Sequence, residues 1–269
     1  MHRVAALVVA FVSLAAAGSL PPGEEDAKAR LDASPRHGEF VQVDAGGAPL
    51  RVWVVYPERK EKAPVVVVIH EIFGLTDWVR AVADQVAAEG FLAVAPDLLS
   101  GKGSGGGGTE TFASRDEAVK AVSALPRDEV MRRLSAVRAW ALGRPAASGK
   151  SASIGFCWGG ATSFAFATAE PALDAAVVYY GPAPDDRAAL AKIRAPVLGL
   201  YGGDDARVTA TVDATTTLMR ELGRSYEPHV YEGAGHGFLR AQSGQDGANR
   251  RAAEAAWPAT VAFLRKRLG

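Results

Sequence analysis

Five consecutive branched apolar residues, Val65-Val66-Val67-Val68-Ile69, constrain this chain more than any other feature. β-Branching favours extended backbone, and a run without polar alternation must be covered on both faces, as a strand inside a parallel sheet is. Similar short runs recur at residues 40–43, 50–56, 91–95, 152–156, 175–180, 197–201 and 227–231. Helical patterns lie between them at about residues 78–89, 113–124, 128–142, 160–169, 209–222 and 249–267. Strand, helix, strand at this spacing predicts an α/β fold: a mostly parallel sheet of about eight strands, right-handed crossovers and helices on both faces. No helix separates the first two runs, so they are expected as an antiparallel edge hairpin turned at Ala45-Gly46-Gly47.

The chain has 269 residues, 48% apolar and 22% charged, which suits one domain with a large core and excludes general disorder or a polytopic membrane protein. Thirty Lys and Arg balance thirty Asp and Glu, so the basic footprint of a nucleic-acid binder is missing. Cys157 is the only cysteine, which rules out an internal disulfide and a multi-cysteine zinc site. His2 and Arg3 precede an apolar run that ends in Ala15-Ala16-Ala17, ahead of the breakers Gly18, Pro21 and Pro22. That order predicts a signal peptide over residues 1–17 and an exported protein, periplasmic or extracellular. Residues 18–38 read as a polar linker, and residues 39–269 as the folded domain.

Several motifs fail when measured. Gly149-Lys150-Ser151 invites a phosphate loop, but Arg144 stands where the first glycine is needed. His70-Glu71 begins like a zinc-protease helix, yet Gly74 holds the place of the second His. No Gly-x-Gly-x-x-Gly follows the early strands, so a dinucleotide site has no support. Residues 101–108, seven of them Gly or Ser, read as a flexible insert, with a mobile lid as the second reading.

One constellation survives. Gly155-Phe156-Cys157-Trp158-Gly159 lies between a strand and a helix and has the Gly-x-nucleophile-x-Gly form, with sulfur at its centre. A lone cysteine is more often an inert buried side chain. Here the flanking glycines permit a turn tight enough to hold Cys157 above the sheet, at a helix N-terminus whose free amides favour a thiolate and a developing oxyanion. Further on, the strand at 197–201 runs into Asp204 and Asp205, which compete to be the acid that orients a histidine, and the spacing favours Asp205. His236 follows the last strand in the glycine-rich Gly233-Ala234-Gly235-His236-Gly237-Phe238. Nucleophile, acid and His, each after a successive strand, match the α/β-hydrolase order.

Together, His70-Glu71-Ile72-Phe73-Gly74-Leu75, Gly155-Phe156-Cys157-Trp158-Gly159-Gly160 and the His236 loop resemble the dienelactone hydrolase family, over nearly the whole chain from Phe40 to Leu268. The resemblance implies that Glu71 lies near Cys157 and helps to activate it, and that the backbone amides of Ile72 and Trp158 form the oxyanion hole. It also implies that Arg240, and Arg115 by its Arg-x-x-Ala-x-Lys setting, bind a substrate carboxylate, although Val119 stands where the archetype has tyrosine. The expected protein is a monomeric hydrolase of a small ester or enol lactone, without metal, cofactor or nucleic acid, and free of the membrane once its leader is removed. Two other readings stay open: an esterase or thioesterase of different range, and a non-catalytic ligand-binding relative.

Overall fold

The computed structural model describes residues 20–269, so the expected leader at 1–17 lies outside the described residues. Eight strands form one sheet: β1 (Gly38–Val43), β2 (Leu50–Val55), β3 (Ala63–Ile69), β4 (Leu92–Pro96), β5 (Ala147–Phe156), β6 (Ala175–Tyr179), β7 (Val197–Gly202) and β8 (Tyr226–Tyr231). Their spatial order is β1-β2-β4-β3-β5-β6-β7-β8. β1 pairs antiparallel with β2, and β2 with β4, while every pairing from β4 through β3 to β8 is parallel. The expected edge hairpin is therefore present. The Val65 to Ile69 run is fully buried in β3 near the middle of the sheet, where each such side chain stabilises the fold by about 1.5–3 kcal/mol.

The helices are α1 (Ala27–Asp32), α2 (Asp77–Ala88), α3 (Arg115–Ser123), α4 (Arg127–Leu142), α5 (Trp158–Ala169), α6 (Arg187–Leu190), α7 (Ala206–Thr209), α8 (Val212–Glu221) and α9 (Ala248–Leu268). α2 and α9 bring Trp78, Val82, Trp257 and Leu264 to one face of the sheet, and α4, α5 and α8 bring Leu134, Val137, Phe164 and Met219 to the other. Two apolar layers around one sheet give an α/β-hydrolase architecture.

Three expectations need correction. The linker expected over 18–38 is folded from residue 20 onward: Pro21 and Pro22 are buried, Ala27 enters the core, and α1 packs on α2. Its polar composition hid anchors that lie far away in sequence. Trp78 Nε1 donates to the Pro22 carbonyl at 3.0 Å, Gln242 Nε2 to that of Pro21 at 2.9 Å, and Arg36 pairs with Asp84 at 2.6 Å. The glycine insert is not an open loop. The Gly107 carbonyl accepts from the amides of Gly101 and Gly103, both at 3.0 Å, and Thr109 beyond it binds Asp97 through its amide and hydroxyl at 2.8 and 2.6 Å. Finally, the helix expected over 209–222 is α8 and starts later, at Val212, because the short α7 ends at Thr209 and Ala210 and Thr211 separate the two.

Candidate active site

The residues of interest follow the C-terminal ends of successive strands: Glu71 after β3, Cys157 after β5, Asp205 after β7 and His236 after β8. This is the edge at which open α/β sheets place their ligands. Cys157 has φ 57° and ψ −117°, a conformation costly for a residue with a Cβ. The surroundings impose it. A Cβ on Gly155 would stand 1.9 Å from the Gly159 carbonyl oxygen, and one on Gly159 would stand 2.3 Å from that of His70. The two glycines thus let β5, α5 and the end of β3 meet, and α5 starts directly at Trp158, two residues earlier than the sequence suggests.

The backbone N–H groups of Trp158 and Ile72 both reach the Cys157 sulfur and favour its thiolate. Burial opposes them more strongly, and the Glu71 charge adds to that opposition, so the thiol is pushed up from its ordinary range. The resting thiol therefore needs a base beside the helix N-terminus, the part that the family resemblance gives to Glu71. Glu71 is 3% exposed. Burial raises its carboxyl to about 7, against the pull of Arg240, whose Nε lies 2.7 Å from Glu71 Oε2.

Of the two candidate acids, Asp205 is buried and reaches His236 Nδ1 through Oδ2 at 2.5 Å, whereas Asp204 is exposed and uses its amide to bind the Ala234 carbonyl. The His236 loop is held from α9, where Asn249 accepts from the Gly235 amide at 2.8 Å. The imidazole packs edge-on against Tyr180, with ring centroids 5.1 Å apart.

Arg240 and Arg115 do not stand free for a ligand. Arg240 contacts both Glu71 and Glu24, and Arg115 contacts Glu24 at 3.1 Å.

Two residues escaped the sequence reading. His70, given no role of its own in the sequence motif that begins with it, is wholly buried, with Nδ1 2.6 Å from the Glu71 carbonyl and Nε2 3.3 Å from the Leu98 amide. Burial lowers its pKa, so the ring is neutral, donating from Nδ1 and accepting at Nε2. That donation fixes the peptide whose N–H belongs to Ile72. Tyr180, at φ 40°, has a buried hydroxyl with no hydrogen-bond partner among the described residues, and it interacts electrostatically with Glu71, Arg240 and Cys157. The signal available was an aromatic pair, Tyr179-Tyr180, running into Gly181 at a strand end.

Comparison with known proteins places the chain in a known lineage. A profile of the Dienelactone hydrolase family matches residues 50–268. A Saccharolobus solfataricus protein provisionally named carboxymethylenebutenolidase is 29% identical over 252 residues, covering 83% of this chain and 96% of its own length. The carboxymethylenebutenolidase of Pseudomonas putida is 31% identical over 186 residues, 68% of this chain and 78% of that enzyme. A Klebsiella pneumoniae crystal structure, provisionally described as a dienelactone hydrolase, superimposes with a TM-score of 0.75 at 27% identity, covering 86% of this chain and 99% of its own. With the profile spanning all but the first strand of the sheet, this chain belongs to the dienelactone hydrolase family and is a carboxylic ester hydrolase.

Proposed function

We propose that the enzyme cleaves an ester or enol lactone through an acyl-enzyme formed on Cys157, with Asp205 and His236 completing the triad. The observation that carries this reading is the strained Cys157 backbone, which sets the sulfur against the amides of Ile72 and Trp158. Strain of this kind costs about 1–3 kcal/mol and persists only where the surroundings enforce it.

Glu71, raised to about 7, is poised to take the thiol proton at neutral pH, leaving one negative charge shared between carboxylate and sulfur. The thiolate adds to the substrate carbonyl, and the two amides hold the oxyanion, each worth about 3 kcal/mol. Collapse expels the alcohol part. An enol leaves as a stabilised enolate and needs little protonation, which suits a site whose nearest acids are modest. His236, oriented by Asp205, then removes a proton from water as it attacks the thioester; the adduct expels the thiolate and releases the acid, His236 passes its proton to the departed enolate or to solvent, and the thiolate recovers the proton held by Glu71.

Cys157→Ala is expected to abolish turnover of a panel of enol lactones and aryl esters, and Cys157→Ser to keep a trace. Accurate mass should show an acyl adduct on wild type alone. Full activity in the alanine variant overturns the mechanism. The basic start, apolar core and small residues of 1–17 support export with cleavage as the setting in which the enzyme works.

A further inference from the structure

The ring of Phe73, two residues from Glu71, has two guanidinium groups over it: Cζ of Arg115 lies 3.6 Å from the ring centroid and Cζ of Arg240 5.3 Å from it. Two cations against one aromatic ring and on one carboxylate, a residue away in sequence from Ile72, whose amide reaches Cys157, make a receptor for an anion. Glu71 engages Nε of Arg240 from within. From outside, Glu24 spans the pair, with Oε1 3.1 Å from Arg115 Nη2 and Oε2 on Arg240 Nη1. Two positive and two negative charges thus close the set. Without Glu24, one positive charge would stand in excess. Glu24 precedes the residues matched to the family, 50–268, and belongs to the segment that sequence reading took for a linker.

We propose that Glu24 is a specificity-determining residue: its carboxylate occupies the Arg115 and Arg240 receptor, so that the enzyme selects uncharged esters or lactones over those bearing a carboxylate. The inference rests on the hydrolase reading above. A substrate carboxylate must displace an identical group tethered to the same chain, exchanging one ion pair for another against a high effective concentration. An uncharged substrate meets no such competitor.

A plain anchoring role for Glu24 predicts something different. The segment is held independently by Gln242 on Pro21, by Trp78 on Pro22, and by the Glu24 amide on the Arg240 carbonyl at 2.9 Å. Glu24→Gln leaves all three contacts intact and removes only the charge.

The test compares p-nitrophenyl hemisuccinate with its methyl ester, which share a leaving group and differ in the remote carboxylate. Glu24→Gln should raise the ratio of kcat/KM for the acid over that for the methyl ester by about tenfold, the weight of a charge-assisted contact. Glu24→Ala should act in the same direction. A ratio that stays within about twofold of wild type overturns the proposal, because an anchoring role alters both substrates alike. Calorimetric titration of succinate into Cys157→Ala and Cys157→Ala/Glu24→Gln needs no turnover, and about tenfold tighter binding is expected in the double variant. Should neither ester be cleaved by wild type, the proposed action on aryl esters fails while succinate binding still decides the role of Glu24. Equal binding by both proteins overturns that role.

Discussion

Replacing Glu71 with Gln isolates a titration that burial makes expensive. The carboxyl is 3% exposed and rises from its ordinary 4.5 to about 7, burial outweighing the stabilising Arg240. Between these values the native protein retains a proton that the unfolded chain has released, so the stability tied to this group is full below pH 4.5 and is lost as pH climbs through about 7. At about 1.4 kcal/mol for each tenfold change in proton affinity, the loss amounts to about 3 kcal/mol. Gln fills nearly the same volume and does not titrate. Urea unfolding of wild type and Glu71→Gln at about pH 4 and about pH 8 therefore gives four free energies, and the difference of differences cancels the ionisable groups that do not sense Glu71. Wild type should lose about 3 kcal/mol more than the variant on going to the higher pH. A discrepancy below about 1 kcal/mol would mean that water or Arg240 relieves the burial, and the argument for a base poised near neutrality would fall with it.

Three further expectations follow from the same geometry. Gly155→Ala puts a methyl 1.9 Å from the Gly159 carbonyl oxygen, so thermal unfolding should show a loss of about 3 kcal/mol or more, together with lost activity. Asp205→Asn should lower kcat by at least about a hundredfold, whereas Asp204→Asn, altering an exposed side chain, should stay within a few fold; equal losses would refute the assignment of the acid. N-terminal sequencing of protein recovered from outside the cytoplasm should begin just after Ala17, and an intact Met1 there would refute cleavage.

What could be read in advance depended on the range of the signal. Continuous apolar runs such as Val65 to Ile69 state their own burial, so the parallel sheet was legible, as was the edge hairpin from the missing helix between β1 and β2. The turn at Cys157 was legible because the steric demand falls on Gly155 and Gly159, both within two residues of it. Asp205 was preferred from spacing alone, and the structure adds the reason, its burial against His236. The arm over residues 20–38 left no local trace: prolines and charges look like a linker until Trp78 and Gln242, 56 and 221 residues from their partners, are brought against it. Glu24 escaped for the same reason, since nothing near it in sequence announces Arg115 or Arg240. His70 and Tyr180 escaped because their roles come from hydrogen-bond direction and enclosure, which follow only from the assembled fold.

The proline-tied arm also bears on how the gene should be handled. Trimming to the family-matched region would strip the cover from the Trp78 indole N–H and the Gln242 amide, uncover the apolar surface beneath Ala27, and delete the acidic partner of two arginines. Such a shortened product should be prone to association and altered in substrate choice, even with every reacting group in place. The opposite terminus is the safer point for a purification handle: Arg265 near the end of α9 pairs with Glu89 at 2.9 Å, at the end of α2 remote from the reacting edge, and Gly269 beyond it faces solvent.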